Sequence, residues 1–80
     1  MRYNQKDVGC ICNKMQELNV KQGTIIKCFL SESTWIVICF VSIDVETGYL
    51  TGLDHDGKSM TIYCKSVKSF EICEESDCMN

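Results

Sequence analysis

Only a few residues in this 80-residue chain could do chemistry, and most of them argue against catalysis. His55 is the sole histidine and stands between Asp54 and Asp56, a trio that could in principle hold a metal or move a proton. Three consecutive residues next to an Asp-Gly turn point in different directions, however, and no second histidine exists to complete a metal site. Neither a Ser-His-Asp nor a Cys-His neighbourhood occurs in the sequence, and there is no Gly-rich phosphate loop. The expectation is therefore a protein that is not an enzyme and that needs neither a cofactor nor a metal.

Cysteine is the second candidate, with seven in the chain. Cys28, Cys39 and Cys64 lie within apolar, strand-like runs, where a thiol acts as a small hydrophobe, so plain packing is expected of them. Cys10-Ile11-Cys12 and the pair Cys73 and Cys78 form two terminal groups. Four thiolates would suit zinc, but C-x-C on a helix directs its side chains about 200° apart at roughly 100° per residue. A metal site, a disulfide and free thiols all stay open for these four, and the odd total leaves at least one thiol unpaired within a single chain.

Binding chemistry has better candidates. Tyr63, Lys65 and Lys68 place an aromatic face near ammonium groups, which is how a base is stacked while its phosphate is met. Trp35, Phe29 and Tyr49 would serve likewise if exposed; otherwise Trp35 and Phe29 belong to a core or an interface. The net charge of −3, from eight basic and eleven acidic residues, excludes a generally basic surface, so any contact with nucleic acid must be local.

These residues need elements to position them. Val8, Ile11, Cys12, Met15 and Leu18 recur at spacings of three and four, which predicts one amphipathic helix over residues 4–19, capped by Asn4 and Asp7 and weakened at Gly9. Thr24 to Leu30, Trp35 to Ile43, Tyr49 to Leu53, Met60 to Lys65 and Val67 to Ile72 read as five strands. The fourth alternates most cleanly and follows Asp56-Gly57, the strongest hairpin signal in the chain. An acidic tail, 73–80, closes the sequence. Apolar residues make up 45% and proline is absent, which argues for a single folded domain. No apolar run is long enough to span a membrane and no secretory signal is visible, so a cytoplasmic protein is expected.

The order of a helix and then five strands of a bent meander resembles the Sm-like family, especially its bacterial Hfq branch. The likeness is best in Asp56-Gly57-Lys58-Ser59-Met60-Thr61-Ile62-Tyr63-Cys64-Lys65-Ser66-Val67, with Asp44 matching an acidic position after the second strand, and it covers Gln22 to Ile72. The resemblance implies a mainly β fold: an N-terminal helix followed by a five-stranded antiparallel Sm-like, SH3-like barrel over 23–72. It also implies a homo-oligomeric ring, in which strand four of one subunit pairs with strand five of the next, and binding of RNA or a nucleotide. Of the family's Tyr-Lys-His trio, Tyr63 is kept, Cys64 replaces the first basic residue and Lys65 takes the histidine position. Ile38 stands near the family's bending glycine, and the loop from Val45 to Gly48 is longer. The other expectation, favoured by low basicity, is a small protein-binding inhibitor or adaptor, such as a phage-type regulator, that binds another protein and no nucleic acid.

Overall fold

The computed structural model describes residues 2–74. Within them the chain runs β1 (Arg2–Asn4), α1 (Gln5–Val8), α2 (Ile11–Glu17), β2 (Ile25–Phe29), β3 (Trp35–Asp44), β4 (Tyr49–Leu53), β5 (Ser59–Tyr63), a 3-10 turn (Cys64–Ser66) and β6 (Ser69–Glu74). The strands form one antiparallel sheet in the order β1-β6-β2-β3-β4-β5. The fold is mainly β, as expected, but it has six strands rather than five, and the sheet is open: β1 and β5 are its unpaired edges rather than the seam of a closed barrel.

The additional strand explains the first correction. Arg2, Tyr3 and Asn4 pair with Glu71, Phe70 and Ser69, a contact between opposite ends of the chain that no local pattern announces. Asn4 consequently has extended backbone and its side chain makes no capping bond. The single helix expected over 4–19 is two helices. Gly9, at φ 77° and ψ −119°, takes a positive-φ conformation open to glycine that closes α1, and Cys10 starts α2 from extended geometry. Breaking the helix there frees α2 to lie on the sheet, where it buries Ile11, Cys12 and Met15.

The inner face of the sheet and α2 share one core, built on Ile26, Cys28, Ile38, Leu50, Val67 and Phe70 with the α2 side chains. Alternation places Ile26 and Cys28 inward and Ile25, Lys27 and Phe29 on the opposite face. In β3 the register with β4 shifts between Phe40 and Ser42, and such a bulge kinks a strand locally. Although Ile38 lacks the glycine of the Sm-like pattern, a glycine stands nearby on the adjacent strand. A Cβ on Gly52 of β4 would lie 2.8 Å from Ile38 Cδ1. β6 also runs past Ile72 to Glu74, so the chain leaves the sheet later than the expected tail boundary. Cys78 and most of the expected tail lie outside the described residues.

Candidate nucleic-acid interface

Lys65 and Lys68 border different clefts, and Tyr63 stands at the end of β5. Tyr63 ends β5, is 41% exposed, and its ring lies 5.3 Å from that of Tyr49, itself 46% exposed. Lys65 sits on the 3-10 turn beside a cleft of about 530 Å³ bordered by Gln5, Cys10 and Ile11. Lys68 borders a different cleft, of about 680 Å³, with Arg2, Lys6, Phe29 and Glu32. Its backbone is held on both sides: its N–H donates to the Phe29 carbonyl and its own carbonyl accepts from Gln5 N–H, each at 2.8 Å. Cys64, at the remaining trio position, faces inward.

Its partner there is Cys12. The two form a disulfide that joins α2 to the 3-10 turn, with Cα atoms 5.8 Å apart, inside the normal span for such a bond. Cys39 is also disulfide-bonded. Packing alone therefore describes neither Cys64 nor Cys39; it does describe Cys28, which is a free, fully buried thiol. Burial, with Cys73 as a second contribution, pushes the Cys28 thiol up to about 12. Cys10 and Cys73 are exposed free thiols.

The Asp54-His55-Asp56 trio is turn architecture. Asp54 Oδ1 accepts the N–H groups of Asp56 and Lys58, each at 2.9 Å, so its carboxylate organises the hairpin. His55 projects into solvent at 91% side-chain exposure, 3.6 Å from Asp56. Among the described residues no group of three or more His, Cys, Asp or Glu side chains is placed to hold a metal.

A denser arrangement of aromatic and cationic groups lies on the outer face of the sheet. Cross-strand register aligns Asn4, Ser69, Phe29 and Trp35 in one row, and Arg2, Glu71, Lys27 and Val37 in the next. Phe29 is buried because its neighbours cover it: Arg2 Cζ stands 3.9 Å from its ring centroid, Lys27 Nζ 5.1 Å, and the Trp35 ring 6.0 Å. Lys27 Nζ also sits 4.4 Å from the Trp35 ring, which remains 49% exposed. Each such cation–aromatic contact contributes about 0.5–1 kcal/mol at an exposed site. Glu71 holds Arg2 in position through a 3.1 Å ion pair.

Alternation along β2 places Ile25, Lys27 and Phe29 on one face, but the roles of Arg2 and Lys27 have no signal in spacing. They meet Phe29 and Trp35 across strands, and only the register brings them together. Further along the same face, Ile25, Val37, Cys39 and Leu53 line an apolar groove of about 440 Å³ that ends at His55.

Fold and surface together define a small β-sheet domain whose exposed Trp35 ring carries the Lys27 ammonium against it. No family model, curated protein or solved structure matches the chain. No helix among the described residues is long and apolar enough to cross a membrane.

Proposed function

We propose that this protein is a non-catalytic module that binds single-stranded RNA or a nucleotide on the outer face of its sheet. The observation that carries this reading is Trp35, half exposed with Lys27 Nζ at 4.4 Å. An exposed indole offers a face to any base, and Lys27, Arg2 and Lys68 supply charge for the adjoining phosphates. Local clustering of these cations is what lets a chain of net charge −3 bind a polyanion at all. The Tyr49–Tyr63 pair, with Lys65 on the following turn, supports a second contact for a longer strand.

An Sm-like relationship goes with this reading. What supports it is the strand order, in which β2 to β5 form a consecutive meander and β6 returns to the free side of β2. That is the connectivity a small barrel requires, although the sheet itself is open. A regulatory role through RNA follows from the same proposal.

Trp35 is the only tryptophan, so its fluorescence reports directly on the site. Titration with U-rich and A-rich RNA at two salt concentrations is expected to quench it, with weaker binding at higher salt. Trp35→Ala, followed by mobility shift, is expected to weaken binding by about 1–3 kcal/mol, roughly 5- to 150-fold. No quenching and no shift at micromolar protein would remove the RNA reading.

The exposed apolar surface of Trp35 and Val37 on the outer face favours the second reading, an inhibitor or adaptor that packs against another protein. A cytoplasmic setting suits RNA binding, whereas the Cys12–Cys64 bond suits an oxidising one. Acid trapping of protein directly from cells, then alkylation under denaturing conditions without reductant, distinguishes the two: Cys12 and Cys64 are modified in the first setting and protected in the second.

A further inference from the structure

The two edges of the sheet are not equivalent. β1, at one edge, is three residues long and covers the outer side of β6. β5, at the other, is five residues long, and its register with β4 runs without a shift from Ser59 to Tyr63. The direction of its free hydrogen-bonding groups follows from two bonds that flank it. Asp54 N–H donates to the Lys58 carbonyl at 2.9 Å, and Cys64 N–H donates to the Gly48 carbonyl at 2.8 Å. Backbone groups alternate along a strand, so those of residues 58, 60, 62 and 64 face β4. The N–H and C=O groups of Ser59, Thr61 and Tyr63 therefore point away from the sheet.

Protein edges are usually blunted by proline, a charged side chain or a bulge, and Ser59 to Tyr63 contain none of these. We propose that β5 pairs antiparallel with β5 of a second copy of this chain about a two-fold axis at Thr61. In that register Thr61 meets its own counterpart, and Ser59 meets the second copy's Tyr63. All are hydrogen-bonded pairs, because the outward groups are those of residues 59, 61 and 63. On the core side, half-buried Met60 meets the second copy's Ile62, so apolar side chains adjoin where the two cores come together. Charge agrees with the direction. Asp54, Asp56 and Lys58 precede the strand, a net −1, while Lys65 and Lys68 follow it with no acidic residue between, and antiparallel pairing brings the net-acidic entry of one copy beside the basic exit of the other.

A second copy is the occupant that matches both this symmetry and this charge order. Pairing of β5 with β6 of another copy, the arrangement of an Sm-like ring, would require β1 to leave the edge of β6. The two-fold contact closes on itself and stops at a dimer. It is a small contact, so the dimer is weak and concentration-dependent. The interface shares self-association with the Sm-like reading but does not depend on RNA binding.

Sedimentation equilibrium over a concentration series tests it on the full chain. The wild type is expected to pass from monomer to dimer, while Thr61→Pro, which removes one outward N–H and no bond to β4, stays monomeric. Thr61→Lys places a charge on the axis against its own copy and is expected to stay monomeric too, covering the case that the proline variant does not fold. Hydrogen exchange on the wild type adds an independent reading: the Ser59, Thr61 and Tyr63 amides gain protection as concentration rises. A wild type that is monomeric throughout, assemblies larger than a dimer, folded variants that dimerise as the wild type does, or no concentration-dependent protection would each overturn the proposal. RNA-dependent quenching of Trp35 in Thr61→Lys separates this outcome from a failure of the RNA reading.

Discussion

Cys28 shows how one buried side chain ties stability to pH. Its thiol lies in the core with no exposed surface, and burial raises it from 9.0 to about 12. Below pH 9 the thiol is protonated in both folded and unfolded chains and contributes no pH dependence. Between pH 9 and 12 the unfolded chain ionises while the folded one does not, so folding stability falls as pH rises through that window. Urea melts from pH 8 to 11 are expected to show a steeper decline for the wild type than for Cys28→Ala; equal slopes would contradict the assignment. Alkylation of the folded protein is expected to modify Cys10 and Cys73 quickly and Cys28 only on unfolding. Residue type and neighbours made this buried thiol legible in the sequence. The same reasoning failed for Cys64, whose apolar surroundings are identical in kind but whose sulfur meets Cys12.

Among the elements, β3 and β4 depend on each other through a single missing side chain. A methyl on Gly52 would come within 2.8 Å of Ile38 Cδ1 and 3.1 Å of the Cys39 carbonyl oxygen, and the backbone oxygen cannot move aside cheaply. Gly52→Ala is expected to cost about 1–3 kcal/mol by overpacking, and Gly52→Ala with Ile38→Val should recover part of it. Thermal or urea unfolding measures both. At Gly9 a methyl would meet no neighbour within 4 Å, so Gly9→Ala costs only the strained positive-φ backbone, about 1–3 kcal/mol. The strands themselves were readable, because alternation and the Asp56-Gly57 turn are local signals. The break between α1 and α2 was not, since the stripe from Val8 to Leu18 continues at helical spacing straight through Gly9.

For the whole molecule, the Cys12–Cys64 bond spans 52 residues and fastens the helical segment to the turn before β6. In a domain this small, which buries only about 60% of its unfolded surface, such a link is a large share of total stability. Cys12→Ala with Cys64→Ala is expected to lower unfolding free energy by about 2–5 kcal/mol. Reductant also breaks the Cys39 bond in both proteins, so both are expected to lose stability, the wild type by more, and reduced wild type and reduced variant should converge; equal losses would show that the Cys12–Cys64 bond is not stabilising. β1 acts at the same scale, holding the first residues against β6 through Tyr3 stacked on Phe70 at 5.0 Å.

By itself the sequence determined a mainly β domain: five of its strand segments, roughly where they turn, and the clean alternation of the segment that becomes β5. Those features follow from a two-residue period and from turn chemistry, both of which act between neighbours in the chain. Tertiary structure decided that Arg2 to Asn4 form a sixth strand, that the sheet stays open, that Cys64 bonds to Cys12, and that Arg2 and Lys27 surround Phe29 beside Trp35. Each of these depends on which distant segments come to lie side by side, and alternation along a strand carries no information about its neighbours across the sheet.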